Sequence, residues 1–205
     1  MSEAPGTPAP DPPTLGFLHT AHLHVATFDA LTQVHAPGVT VRHRVEPTLL
    51  TRAMSGQDVR ADVEAALRVL ADGGATTIVC TCVTIGSLAE NTDVPGCTVL
   101  RVDRPAAAEA VRLGRHILMV FALDSARATG VELVTQEAQA ALASGVRVTP
   151  LLVDGAWSAF TSGDVSRYDD EVEAAVRTAQ AEHAADLVLL AQASMAPVAP
   201  RLADL

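Results

Sequence analysis

From Thr14 onward the chain alternates short apolar runs with longer amphipathic stretches. TLGFLHT is an apolar run that ends in a polar turn, which predicts a first strand. AHLHVATFDALTQVH follows with Leu23, Ala26, Phe28 and Leu31 at helical spacing, so a helix with those residues inward is expected. PGVTVRHRV alternates apolar and polar positions and predicts a second strand. DVRADVEAALRVLADGG is a helix that stops on a glycine pair. ATTIVCTC is rich in β-branched residues and is the clearest strand of the chain, with a helix opening at VTIGSLAENT. CTVLRVD, HILMVFAL, VRVTPLLV and DLVLLAQ continue the strands. PAAAEAVRLG, ATGVELVTQEAQAALASG and DDEVEAAVRTAQAEHAA continue the helices.

Regular alternation of this kind predicts an α/β fold with parallel strands. Two halves of similar make-up are expected: a first over 14–104, completed by the C-terminal residues, and a second over 105–205. Residues 1–13, rich in proline, read as a disordered tail. Each half ends a strand in a small polar segment, CTCVTIG in one and AQASMAP in the other. Ligands of such sheets bind beyond the carboxyl ends of the strands, so the site is expected in the cleft between the halves.

Composition removes several function classes. The net charge is −10, and the 14 basic residues are all arginine and scattered, which argues against a nucleic-acid surface. Without lysine there is no Schiff-base chemistry and no Walker-type phosphate loop. No apolar run approaches the ~18 residues of a membrane span. The N-terminus lacks the basic and apolar stretches of a secretion signal, so a cytoplasmic protein is expected. The three cysteines at 80, 82 and 97 do not suggest a disulfide framework.

Cys82 is the leading candidate for chemistry. It follows a strand and precedes a helix, where backbone N–H groups and the positive helix end favour a thiolate able to act as base or nucleophile. A small buried turn residue is the plain alternative. Cys80 is expected in the core and Cys97 in a loop. His19 and Thr20 are placed at the end of the first strand, facing the cleft, and His22 and His24 on a helix surface. H-T-A-H-L-H together with His43 also admits a metal site in a hydrolase, although no H-E-x-x-H pattern is present. His43 is expected to pair with Glu46. Thr84 and Ser194 follow the two strand ends, where they can bind a carboxylate or an enolate, or simply cap helices. Trp157, Phe160 and Tyr168 suit either a pocket wall or the core.

Taken in order, GFLHTAHLHVATFDAL, RHRVEPTLL, CVTIGSLAE, VLRVDRPAAAEAVRLG, GAWSAFTSGDVSRYDD and LLAQASMA resemble segments of a racemase-like branch of the aspartate/glutamate racemase superfamily. The resemblance implies two similar domains with parallel sheets flanked by helices, no cofactor, and abstraction of a proton next to the carboxylate of a small acid. A homodimer is a further implication. It places the family's first cysteine on Cys82 and substrate-binding groups on His19, Thr20, Val83, Thr84, Gln192 and Ser194. His43, Glu46 and Asp103 are placed behind them. Gln192 stands where the second cysteine is expected, and an amide cannot transfer a proton. The implied chemistry is therefore that of a one-thiol isomerase or decarboxylase. A non-catalytic carboxylate binder on the same fold is the other reading.

Overall fold

The structure, a computed structural model, describes residues 13–205. The proline-rich tail assigned to 1–13 lies almost wholly outside the described residues. Seven strands and eight α-helices are found among those residues. β1 (Thr14–His19), β2 (Thr40–Val45), β3 (Thr77–Cys80) and β4 (Thr98–Arg101) form one parallel sheet in the order β2-β1-β3-β4. β5 (His116–Phe121), β6 (Arg147–Leu152) and β7 (Leu187–Leu190) form a second parallel sheet in the order β6-β5-β7.

The helices are α1 (Leu23–His35), α2 (Pro47–Met54), α3 (Arg60–Asp72), α4 (Val83–Glu90), α5 (Arg104–Leu113), α6 (Asp124–Ala140), α7 (Ala156–Ser162) and α8 (Val165–His183). Two of them, α2 and α7, are not foreshadowed by the pattern. Both are short, too short for a helical repeat to declare itself.

The two sheets share a core. Leu18, Ile78 and Cys80 of the first are continuous with Ile117, Met119 and Phe121 of the second, through α4, α5 and α6 between them. β5 is buried at every position, as expected of a central parallel strand covered on both faces. α6 lies close on β5 at Gly130, where an added Cβ would meet Phe121 Cε1 at 2.8 Å and Met119 Cε at 2.9 Å. A second apolar cluster joins the opposite face of this sheet to α7 and α8.

Two expectations are corrected here. α1 is a helix, but Leu23 and Leu31 are exposed (57% and 45%), and the buried residues are Phe28 and Thr32. The helix covers only one sheet face, and Phe28 turns toward Phe17 and His19. The C-terminal residues pack mainly on the second half. Ala193–Leu202 form a 3-10 segment lying chiefly against α8 and β7, with Met195, Val198 and Leu202 buried there.

Candidate active site

The carboxyl ends of β1, β3, β5 and β7 point toward one small cavity between the sheets, of about 30 Å³. Cys82, Thr20, Val83, Thr84, Gln192 and Ser194 all line it, so six of the residues singled out from sequence meet there. His24, Leu50, Thr81, Leu123, Ala126 and Trp157 are among the others. Among the described residues no arginine and no carboxylate lines it. Beyond Thr20, Ala21, Leu50 and Trp157 the cavity continues into an open trough walled by Leu23, Met54, Phe160 and Val165.

Cys82 is the N-cap residue of α4, in extended backbone. The amides of Thr84 and Ile85 and the hydroxyls of Thr20 and Thr84 are close enough to the thiol to favour its charged form. These are the free donors of a helix start plus two side chains, a set that favours a thiolate. Burial works against them and is the larger effect, so the thiol sits above its ordinary range. This corrects the expectation that the helix end alone would lower it. Cys80 points into the core, donates to the Cys82 carbonyl at 3.7 Å, and is pushed far up by burial. Cys97 precedes β4 and donates to the Ala75 carbonyl at 2.9 Å.

The turn that carries Cys82 is anchored on both sides. Thr84 shares a 3.1 Å hydrogen bond with Ser125 of α6, and Thr129 of α6 donates to the Val83 carbonyl at 3.1 Å. Behind α4, Arg101 is buried and forks onto Asp103 with two 2.7 Å hydrogen bonds. Gly86 leaves room for that guanidinium, since a Cβ there would come within 3.3 Å of Arg101 Nε. Asp103 therefore acts through Arg101 and does not border the cavity.

His19 does not border the cavity either. It is fully buried and belongs to a chain of hydrogen bonds crossing three elements and the β3–α4 turn. Thr81 meets His19 Nδ1 at 2.8 Å, His19 Nε2 meets His43 Nδ1 at 2.8 Å, and His43 Nε2 meets Asp29 Oδ1 at 2.9 Å. A carboxylate can only accept, so His43 donates from Nε2 and accepts at Nδ1. His19 then donates from Nε2, and its Nδ1 shares the Thr81 hydroxyl proton with the Leu18 carbonyl, 3.3 Å from the same oxygen. Burial and the neighbouring rings of His43 and His24 hold His19 down at about 4, so its imidazole is neutral. The expected His43–Glu46 pair is replaced by His43–Asp29, while Glu46 turns to Arg44. The sequence separation between Asp29 and His43 hid this pairing. The same bonds occupy the nitrogens that a metal would need. Among the described residues no group of three or more His, Cys, Asp or Glu converges with metal-binding geometry.

The second half presents Gln192 and Ser194. Gln192 Oε1 accepts from the amides of Ala122 at 2.6 Å and Leu123 at 3.3 Å, at the start of α6. Ser194 shares a 2.8 Å hydrogen bond with Tyr168, whose buried phenol is pushed up to about 12. Trp157 stacks on Phe160 (5.1 Å, 27°) and forms a cavity wall, whereas Tyr168 belongs to the core.

His24 is the residue that sequence reasoning misplaced. It was expected on a helix surface, but it lies in the first turn of α1, half-buried, with its ring edge-on to Phe28 (6.3 Å, 80°). Burial lowers its pKa below the ordinary imidazole value. His22, two residues earlier, is exposed. Nothing in the spacing separates the two, because the choice depends on how α1 is rotated over β1.

No family model matches the sequence, and no curated protein matches it. Among solved structures, an aspartate racemase from Picrophilus torridus superposes with a TM-score of 0.67. The alignment covers 91% of this chain and 83% of that one, at 11% identity. The fold is that of aspartate racemase. The two parallel sheets, their helical layers and the cleft between them thus follow a racemase-like plan. A periplasmic binding ribose operon repressor protein from Lactobacillus acidophilus aligns at a TM-score of 0.35 and 14% identity, over 93% of this chain and 89% of that one, a likeness too loose to bear on the fold. No helix among the described residues is long and apolar enough to cross a membrane.

Proposed function

We propose that the protein is a cofactor-independent, racemase-like enzyme that makes or breaks a C–H bond next to the carboxylate of a small acid. One observation carries this reading. The Cys82 thiol sits at a helix N-terminus, in a cavity that a second helix start also borders and that no carboxylate among the described residues lines. Helix N-termini favour anions, so a substrate carboxylate and the enediolate formed from it are both stabilised there. Cys82 is the base or the proton donor. Thr20, Thr84 and the free amide nitrogen of Gln192 bind oxygens of the acid.

Gln192 cannot exchange a proton, so inversion by two facing thiols is not part of the reading. A one-thiol isomerisation or decarboxylation is. The absence of arginine from the cavity lining disfavours a second carboxylate on the substrate, and the trough beside it suits an apolar substituent. The substrate class is therefore a small monocarboxylic acid, or one that becomes so, with an alkyl or aryl group at the reacting carbon. The free thiols suit a reducing compartment, and we place the protein in the cytoplasm.

Incubation with a panel of such acids in deuterated water tests the reading. Deuterium incorporation at the α-carbon, or release of CO2, is expected from the native protein and not from Cys82→Ala. Full activity in that variant would remove Cys82 from the mechanism. A carboxylate-binding protein without turnover is the second reading, favoured by the burial that raises the Cys82 thiol above its ordinary range. Saturable binding of the acids without exchange would establish it.

A further inference from the structure

Among the described side chains that line the cavity, only two have a pKa useful for proton transfer: Cys82 and His24. We propose that His24 is the second proton-transfer group of this site, holding the proton that Cys82 gives up when a carboxylate is bound. The proposal rests on the reading of Cys82 as the reacting thiol.

The argument is one of charge. A thiolate beside a bound carboxylate places two negative charges in a closed space, which is costly unless a positive charge accompanies them. No arginine among the described residues lines the cavity. His19 packs beside His24 (ring centroids 6.4 Å), but both its nitrogens are committed to Thr81 and His43. His24 is thus the one lining group able to become a cation. The titratable groups that face it are His19 from β1 and Cys82 from the α4 turn, and Trp157 and Gln192 are the neutral groups opposite.

The steps balance. The Cys82 S–H proton passes to the His24 imidazole, giving a thiolate and an imidazolium. The thiolate takes the α-proton, forming S–H as the C–H bond breaks and its electron pair moves onto the carboxylate as an enediolate. The imidazolium then returns its proton to carbon, a new C–H bond forms, and both groups regain their starting states. α1 and the β3–α4 turn both belong to the first sheet, so the two groups approach from the same half. A proton shift along one face of the substrate fits this placement better than inversion does.

Alkylation of Cys82 reads the pair without turnover. Iodoacetate carries the carboxylate and iodoacetamide does not. In both, sulfur bonds to the CH2 carbon as iodide leaves with the C–I electron pair. Near pH 6.5, iodoacetate is expected to modify Cys82 faster than iodoacetamide, and His24→Gln is expected to reduce the iodoacetate rate about tenfold or more. In strong base, where the thiolate forms unaided, iodoacetamide should modify both proteins at the same rate. A merely structural role for His24 would change that last rate as well. As a second measurement, the NMR titration of His24 should shift to lower pH in Cys82→Ser under iodoacetamide-free conditions with acetate bound. Native alkylation profiles in His24→Gln, or a His24 titration indifferent to Cys82→Ser, would overturn the proposal. Deuterium exchange that survives in His24→Gln removes the pair and keeps Cys82. An intact alkylation signature without exchange on any acid removes the enzymatic reading and keeps the pair.

Discussion

The two sheets end in turns that look alike in sequence and differ in chemistry. At the end of β3, Cys82 starts α4 with a buried thiol, and the Thr20, Thr84 and Ile85 groups near it oppose the effect of burial on its charge. At the end of β7, Gln192 and Ser194 are tied to their own half, one by the amides of Ala122 and Leu123 and the other by Tyr168. The first half thus carries the titratable groups and the second holds the wall opposite them. A site between two similar halves need not be chemically symmetric. One half can keep a donor and acceptor in motion while the other keeps its geometry still.

Removing the active side of this contrast should have the largest effect. Cys82→Ala is expected to lower α-deuterium exchange by about a thousandfold, within the ~100- to 10,000-fold range of a lost acid–base group. Its melting temperature should change little, because the side chain is small. A change in stability with no change in exchange would reverse the roles given to the two turns.

The histidine chain behind the first turn predicts the next effect. His19 is held at about 4 in the folded protein, against 6.5 for the free side chain. Between those values the unfolded chain binds a proton that the folded chain refuses. Stability is therefore fully present above about 6.5 and falls as pH drops toward 4, by about 3 kcal/mol. Urea melts across that window should show the loss, and His19→Gln should flatten it. His24, lowered in the same direction, adds to the slope.

On the second half the expected effects are structural. Gln192→Ala leaves the amides of Ala122 and Leu123 without their shared acceptor and should cost about 2 kcal/mol in chemical denaturation. Gln192→Glu keeps an acceptor for both and should retain stability, while its negative charge weakens binding of carboxylates. Equal stability of Gln192→Ala and the native protein would show that the turn is not held this way. The smallest effect is expected from Ser194→Ala, about 1 kcal/mol from the lost hydrogen bond with Tyr168. Tyr168→Phe should match it, and the double variant should cost no more than either alone if the two groups serve only each other.

Much of this architecture is legible along the chain. The run HILMVFAL announces β5 because a central parallel strand is apolar on both faces, and ATTIVCTC announces β3 by its β-branched residues. Cys82 stands out because strand, cysteine and helix start are neighbours in sequence. So do Thr84 and Ser194, which follow strand ends. The short helices α2 and α7 leave too few residues for a period to show. The inward face of α1 misleads, because Leu23 and Leu31 are spaced for a core that is not there.

The order of strands and helices, the absence of lysine and the position of Cys82 at a strand-to-helix turn were determined by sequence alone, since each depends on adjacent residues. The pairing of His43 with Asp29 instead of Glu46 was decided only by the tertiary structure, as was the commitment of Gln192 to the start of α6. So was the choice of His24 over His22 to enter the cavity. The physical reason is common to all three. Hydrogen bonding and burial depend on which side chains meet across elements, and that depends on the rotation of each helix over its sheet, which no local pattern encodes.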